Sequence, residues 1–77
     1  MINSERLEQK IKASGLKKEF IAEKCGISRA GFYKKVNNQN EFTVKEINIL
    51  CDLLSISKLT EKEAIFFAKE VNQNVNL

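Results

Sequence analysis

The chain has 77 residues, of which 43% are hydrophobic and 30% are charged, and its formal net charge is +3. This length fits a single domain, 1–77, and this apolar content excludes a wholly disordered chain. No apolar run approaches the roughly 18 residues of a membrane-spanning helix, and the N-terminal segment lacks the apolar stretch of a secretory signal, so we expect a cytoplasmic protein without a membrane partner.

Apolar residues at helical spacing predict five helices in chain order. The first begins at Asn3 or Ser4 and ends at Gly15. The second runs from about 17 to 24 and ends before Gly26. A glycine directly after each helix is typical of a helix C-terminus, because glycine adopts the left-handed conformation there without steric cost.

A third helix is predicted to begin almost at once behind Ser28, which is a good N-cap, and to end at Val36 or Asn37. On a helical wheel, Phe32 and Val36 share one arc, which should face the core. The other arc carries Arg29, Ala30, Tyr33 and Lys34. The third helix should therefore have one buried and one exposed side.

The fourth and fifth helices each begin with a capping-box pattern, a threonine followed three residues later by a glutamate. Thr43 and Glu46 open the fourth helix, and Thr60 and Glu63 open the fifth. The inward side chains expected from these two helices are Val44, Ile47, Leu50, Cys51, Leu54, Ala64, Ile65, Phe66, Phe67, Ala68 and Val71. The phenylalanines expected in or near the core are Phe20, Phe32, Phe42, Phe66 and Phe67.

The C-terminal segment 71–77, with the sequence VNQNVNL, alternates apolar residues with asparagine or glutamine. That alternation is typical of a strand, but asparagine is a poor strand former. Two outcomes stay open, a frayed chain end or a strand that pairs with a second copy of the chain.

Positive charge is concentrated in one segment of the chain. Residues 17–40 carry six lysine or arginine residues against two glutamates, a net charge of +4, whereas residues 41–77 carry four against six, a net charge of −2. A cluster of this kind is often only a solvated face, but it also fits a surface that binds nucleic acid.

The residue inventory argues against catalysis. The chain has no histidine, so Ser–His and Cys–His arrangements are excluded, and no glycine-rich phosphate loop is present. Two cysteines, Cys25 and Cys51, are too few to hold zinc, and they fall at apolar helical positions where a reduced thiol packs as a small hydrophobe. We expect no enzyme activity, no metal, no cofactor and no small-molecule ligand.

The break between the second and third helices carries a specific pattern, namely Ala22, Gly26, Ile27 and Phe32 at spacings of 4, 1 and 5. With its flanking residues, KEFIAEKCGISRAGFYKKVNN from 18 to 38, it resembles the helix-turn-helix of the lambda-repressor/Cro-like (XRE-type) family, most closely the small phage or prophage Cro-type repressors. The resemblance implies a compact five-helix lambda-repressor-like DNA-binding domain, with the helix-turn-helix at about 17–37.

Two residues depart from the pattern of that family. Lys18 stands where the family commonly has a glutamine that contacts a phosphate, and a lysine can still reach a phosphate as a point charge. Lys35 stands where the family often has an apolar residue. We expect Val36 to make the core contact instead, with the stem of Lys35 lying along the surface.

The resemblance also implies two groups of DNA-binding residues. The third helix enters the major groove, and the residues implied to read bases are Ser28, Arg29, Ala30, Tyr33 and Lys34. The residues implied to contact the DNA backbone are Lys17, Lys18, Asn37, Asn38 and Thr43.

The sequence therefore predicts a regulator that binds double-stranded DNA, a repressor that occupies an operator in a bacterial or phage-infected cell. One small domain offers few base contacts, so we expect a homodimer on a palindromic operator. It would form through the fifth helix and 71–77, or only on DNA. The alternative is a helix-turn-helix that binds a protein partner, as an antirepressor or antitoxin does.

Overall fold

The computed structural model describes residues 1–68, and this part of the chain contains five α-helices and no strand. The helices are Ser4–Ser14 (α1), Lys18–Cys25 (α2), Arg29–Val36 (α3), Val44–Leu53 (α4) and Leu59–Phe66 (α5). The predicted all-α class with five helices is thus confirmed, while segment 71–77 lies outside the described residues. Among the described helices, none combines the length and the apolar character that crossing a bilayer requires.

The core lies where the helices meet. α2 packs against α3 and α4, and α1 contacts α3 and α5. Leu7, Ile21 and Phe32 have no exposed surface, and burial of each such side chain contributes roughly 1.5–3 kcal/mol. The buried apolar residues are Ile2, Leu7, Ile11, Ile21, Ala22, Phe32, Val36, Ile47, Leu50, Cys51, Leu54, Ile56, Ile65 and Phe66.

Local side-chain caps set the starts of three helices, as the sequence predicts. Asn3 and Ser28 each accept a hydrogen bond from the backbone N–H three residues further on. At α4 both bonds of the capping box are present: Thr43 accepts from the N–H of Glu46 at 3.1 Å, and the Glu46 carboxylate accepts from the N–H of Thr43 at 2.9 Å. Each bond satisfies an N–H that has no partner inside the helix.

The predicted start of α5 is wrong. The helix begins at Leu59, behind Lys58, and no side chain caps it. Thr60 is therefore already inside the helix, where its hydroxyl cannot take the N-cap position. The spacing of threonine and glutamate alone does not distinguish a capping residue from one at the second helical position.

The buried side of α5 also differs from the prediction. Ile65 and Phe66 are buried, but Phe67, which directly follows the last residue of the helix, is 55% exposed. Phe20 is likewise 40% exposed, with the Lys24 ammonium 5.4 Å from its ring centre. α2 faces the core with Ile21 and Ala22 instead. Val44, at 74% exposure in the first position of α4, does not reach the core either.

Asn38 connects the N-terminus to the end of α3. Its backbone is left-handed, at φ +64°, and its side-chain amide pairs with both polar atoms of the Ile2 backbone. Ile2 N–H donates to Asn38 Oδ1 at 2.8 Å, and Asn38 Nδ2 donates to Ile2 C=O at 3.0 Å. Nearby, the Ser4 hydroxyl donates to the Val36 carbonyl, and the Asn3 N–H donates to Ile65 C=O at 2.7 Å. These bonds hold the N-terminal residues between the ends of α3 and α5.

An ion pair connects α3 to α4. The Lys35 ammonium lies 2.7 Å from Glu46 Oε1 and 2.8 Å from Oε2, and the two side chains are only 16% and 9% exposed. The expectation that Lys35 lies along the surface is therefore wrong. The capping box holds the Glu46 carboxylate in a buried position, and a buried carboxylate needs a cationic partner.

The pKa of Glu46 reflects these contacts. Burial by itself raises the pKa of this carboxyl, but the hydrogen bond from Lys35 and those from Thr43 outweigh burial, so the net pKa lies below the ordinary value of 4.5. Since the pKa of Glu46 is lower in the folded than in the unfolded state, the charged carboxylate stabilises the fold at pH values above its unfolded pKa. The stabilisation is lost as the pH falls through the folded pKa.

Asn38→Gly keeps the left-handed backbone accessible but removes the amide that pairs with Ile2. We expect the free energy of unfolding, measured by urea denaturation, to fall by about 1–2 kcal/mol. Asn38→Ala should cost about 1 kcal/mol more, because alanine is also strained at positive φ. Gln39→Ala, an exposed neighbour, is the control and should change little; equal stability of Asn38→Gly and the unmodified chain would contradict this role.

Glu46→Gln removes the charge that pairs with Lys35 while keeping the size of the side chain. At neutral pH we expect it to lower the free energy of unfolding by about 1–3 kcal/mol. The difference from the unmodified chain should shrink as the pH falls below 4.5 and then through the lower folded pKa, because Glu46 becomes neutral first in the unfolded and then in the folded state. Urea denaturation across that pH range measures it, with the exposed Glu41→Gln as the control. A difference that stays constant with pH would contradict the stabilising role of the Glu46 charge.

Candidate functional site

The corner between α2 and α3 is built by hydrogen bonds at the end of α2. Gly26 is left-handed, at φ +76°, and its N–H donates to Glu23 C=O at 3.0 Å. The next N–H, of Ile27, reaches back to Ala22 C=O at 3.1 Å. This six-to-one pairing ends α2 and turns the chain sharply, and Ile27 packs against the core at the turn.

The start of α3 depends on Ser28 and Gly31. The Ser28 hydroxyl oxygen accepts from the Gly31 N–H at 3.0 Å. A Cβ atom at Gly31 would lie 3.1 Å from that oxygen, which is a tight contact. Glycine therefore leaves room for the cap, and together with the small, exposed Ala30 it keeps the first turn of α3 narrow.

The predicted division of α3 into two sides is observed. Phe32 and Val36 are buried without exposed surface. Arg29, Ala30 and Lys34 are exposed. Tyr33 is half-buried at the edge between the two sides. α3 therefore presents a narrow, cationic surface to solvent.

Two carboxylates hold two of the predicted cations. Arg29 Nη1 lies 3.3 Å from Glu19 Oε2, and Lys18 Nζ lies 2.8 Å from Glu8 Oε1. Both cations also lie near the ring of Tyr33, the guanidinium carbon of Arg29 at 5.7 Å and the ammonium of Lys18 at 5.1 Å from its centre. The Tyr33 side chain and, after it, the Glu19 carboxylate raise the pKa of Arg29, so the guanidinium stays charged.

These residues form one shallow concave surface where α2 begins and α3 begins. Lys17, Lys18, Glu19, Arg29 and Tyr33 line it. Three cations face one carboxylate there, and Glu8 pairs with Lys18 from α1, so the surface keeps a net positive charge although both Arg29 and Lys18 are paired. Its polar groups suit an anionic ligand that also accepts hydrogen bonds.

The remaining predicted contact residues lie at the opposite end of α3. Asn37 is the exposed C-cap of α3, and Asn38 follows it with its amide already paired with Ile2. Thr43 is exposed, and its hydroxyl oxygen caps α4. Lys34 makes no ion pair within residues 1–68. Of the ten predicted residues, Lys34 lies within α3, while the others lie around its start (Lys17, Lys18, Ser28, Arg29, Ala30 and Tyr33) or beyond its end (Asn37, Asn38 and Thr43).

The two cysteines are not among the residues that line this concave surface. Cys51 is buried and Cys25 is half-buried, and both thiols are free. Burial is the main cause that raises the pKa of each thiol, so both stay protonated at neutral pH. In the part of the chain that the structure describes, no group of three or more Cys, Asp or Glu side chains is placed to hold a metal ion.

Sequence reasoning missed the two carboxylates of this site. Glu8 lies on α1 and Glu19 on α2, each ten positions before the cation that it contacts. Pairs at three or four positions within one helix can be read from a sequence, but these pairs join different helices. No periodic signal in the sequence could have found them.

Comparison of this chain with protein-family models, with curated proteins and with solved structures finds no match. The exposed side of α3 offers cations and side-chain donors on a narrow helix whose opposite side is fixed in the core.

Ser28→Ala removes the oxygen that caps α3. We expect a loss of about 1 kcal/mol in the free energy of unfolding, measured by urea denaturation. Ser28→Asn keeps a capping oxygen and should stay close to the unmodified chain, and Ser57→Ala in the exposed segment before α5 is the control. If Ser28→Ala were as stable as Ser57→Ala, the cap would not determine the start of α3.

Proposed function

We propose that this chain is a sequence-specific double-stranded DNA-binding protein in which α2, the turn 26–28 and α3 act as a helix-turn-helix of the lambda-repressor-like type. Its role is that of a transcriptional regulator, a Cro-type repressor of phage or prophage that occupies an operator. The observation that carries the proposal is the two-sided α3, buried at Phe32 and Val36 and exposed at Arg29 and Lys34.

The dimensions of α3 support insertion into the major groove. An α-helix with its side chains is about 10–12 Å across, and the major groove of B-DNA, about 12 Å wide, admits such a helix. Arg29, in the first turn, carries a planar fork that fits guanine O6 and N7, while Ala30 offers a methyl group to thymine. The Ser28 hydroxyl still has a proton to donate after it caps the helix, and Tyr33 and Lys34 flank this reading edge.

Candidate contacts to phosphates lie near both ends of α3. Lys17 and Lys18 lie at the start of α2, where unpaired backbone N–H groups also favour an anion. Asn37 and the Thr43 hydroxyl are exposed at the other end. The amide of Asn38 is occupied by Ile2, so we assign the phosphate contacts chiefly to the other four residues.

A homodimer on a palindromic operator completes the proposal. Two copies double the base contacts of one short helix, and DNA half-sites one helical turn apart match a two-fold dimer. Exposed apolar side chains for such an interface lie at the two ends of α5: Leu59, its first residue, is 66% exposed, and Phe67, directly after its last residue, is 55% exposed. Segment 71–77 follows α5 in the chain and remains a predicted part of the dimer interface.

A second function, binding of a protein partner by the same helix-turn-helix, is favoured by the exposed aromatic side chain of Phe20 on α2. Salt distinguishes the two functions. Binding to DNA releases counterions from the phosphates and weakens steeply as salt rises, whereas an apolar protein interface does not.

The test is selection of binding sites from random duplex DNA at moderate salt, followed by sequencing. An enriched palindrome supports the repressor and its dimer, and the half-site spacing gives the dimer geometry. A single unsymmetric half-site keeps the DNA-binding function and excludes the dimer. No enrichment by a chain shown to be folded would overturn the proposal in favour of the protein-binding module.

Arg29→Ala is expected to weaken binding to the selected site about 5- to 150-fold and to relax the preference at one base pair, because a bidentate contact to guanine is lost. Titration of labelled duplexes, one for each base at each position, measures both effects. Lys58→Ala removes an exposed cation directly before α5, outside the surface that Arg29 lines, and is the control. If Arg29→Ala weakened all duplexes equally, Arg29 would be a phosphate contact and not a base reader.

A further inference from the structure

The Arg29–Glu19 pair contributes little to the fold. Both side chains are largely exposed, at 60% and 63%, and exposed pairs of this kind contribute little or nothing measurable to stability. Both residues nevertheless lie on the concave surface that the proposed function assigns to DNA. A carboxylate in that place repels phosphates, so its presence needs a different explanation.

The geometry around Arg29 gives one. Glu19 contacts the guanidinium on one side at 3.3 Å, and the Tyr33 ring lies beneath it at 5.7 Å. A free arginine side chain has many rotamers, and ordering it on binding costs affinity. Two contacts made before binding favour positions of the guanidinium above the start of α3, and a small part of the ordering cost is offset in advance.

We propose that Glu19 is a positioning residue that sets base discrimination by Arg29, an inference that rests on the proposed function. Glu19 acts in two opposite ways. It orients the guanidinium for one base pair, and its charge lowers affinity for DNA in general by repelling phosphates. Glu19 therefore increases the contrast between a matching and a non-matching site.

Glu8, on α1 and paired with a cation of this surface, provides the matched comparison. It holds Lys18 at 2.8 Å, and Lys18 lies over the same Tyr33 ring at 5.1 Å. Lys18 is a candidate phosphate contact, which carries no sequence information. Removal of the Glu8 charge should then strengthen binding to every duplex equally, without any change in base preference.

The experiment compares the full chain with Glu19→Gln and Glu8→Gln. The probes are the duplex selected by the unmodified chain, the same duplex with each base pair replaced in turn, and a random duplex of equal length. For both variants we expect binding to the random duplex to tighten about two- to fivefold, because one repelling charge is lost. For Glu19→Gln alone, the preference at the base pair read by Arg29 should fall about two- to fivefold.

The decisive result is that Glu19→Gln binds the random duplex more tightly but has a weaker preference at the base pair read by Arg29. A merely structural role would lower both the affinity and the preference. Equal base preference in Glu19→Gln and Glu8→Gln would overturn the inference while leaving the proposed function intact. A rise in base preference in Glu19→Gln would also overturn it, because Glu19 would then only compete with DNA for Arg29. Failure of the unmodified chain to select any site would overturn the proposed function, and this inference with it.

Discussion

Burial of Phe32 and Val36 is the constraint on which the rest of this molecule depends. α3 has only eight residues, so two fully buried side chains one turn apart fix its rotation about its own axis. The exposed positions follow from that rotation, and with them the cations offered to a ligand. α1 and α2 supply the surface that buries this side of α3, which is why the N-terminal half of the chain packs so closely around it.

Polar contacts hold α3 at both ends, but they use different chemistry. At its start, a left-handed Gly26 and the Ser28 cap set the direction of the helix through bonds within a few residues. At its end, Lys35 reaches α4, and Asn38 reaches the backbone of Ile2. The start of α3 therefore keeps Arg29 exposed to a ligand, while at the end Lys35 and Asn38 hold the structure and Lys34 and Asn37 stay exposed. This division supports the proposed function, in which base reading is centred on Arg29 near the start of α3.

Most of the fold could be predicted from the sequence, and the errors share a physical cause. Helix starts at Asn3, Ser28 and Thr43 were predictable because a capping bond joins residues three positions apart. The start of α5 was not, since the same threonine–glutamate spacing also occurs inside a helix. Phe67 is exposed and lies just after the last residue of α5, and the hydrophobicity of the sequence alone does not show where that helix ends.

The sequence by itself determined the all-α class, the corner between α2 and α3 and the exposed arc that begins at Arg29, because each depends on residues close together in the chain. Only the tertiary structure decided which of the charged groups are paired. Glu19 meets Arg29 and Glu46 meets Lys35 because separate helices approach to within a few ångströms. Such distances depend on packing of the whole core, and an exposed lysine or arginine has the same appearance in a sequence whether it is free or held by a carboxylate.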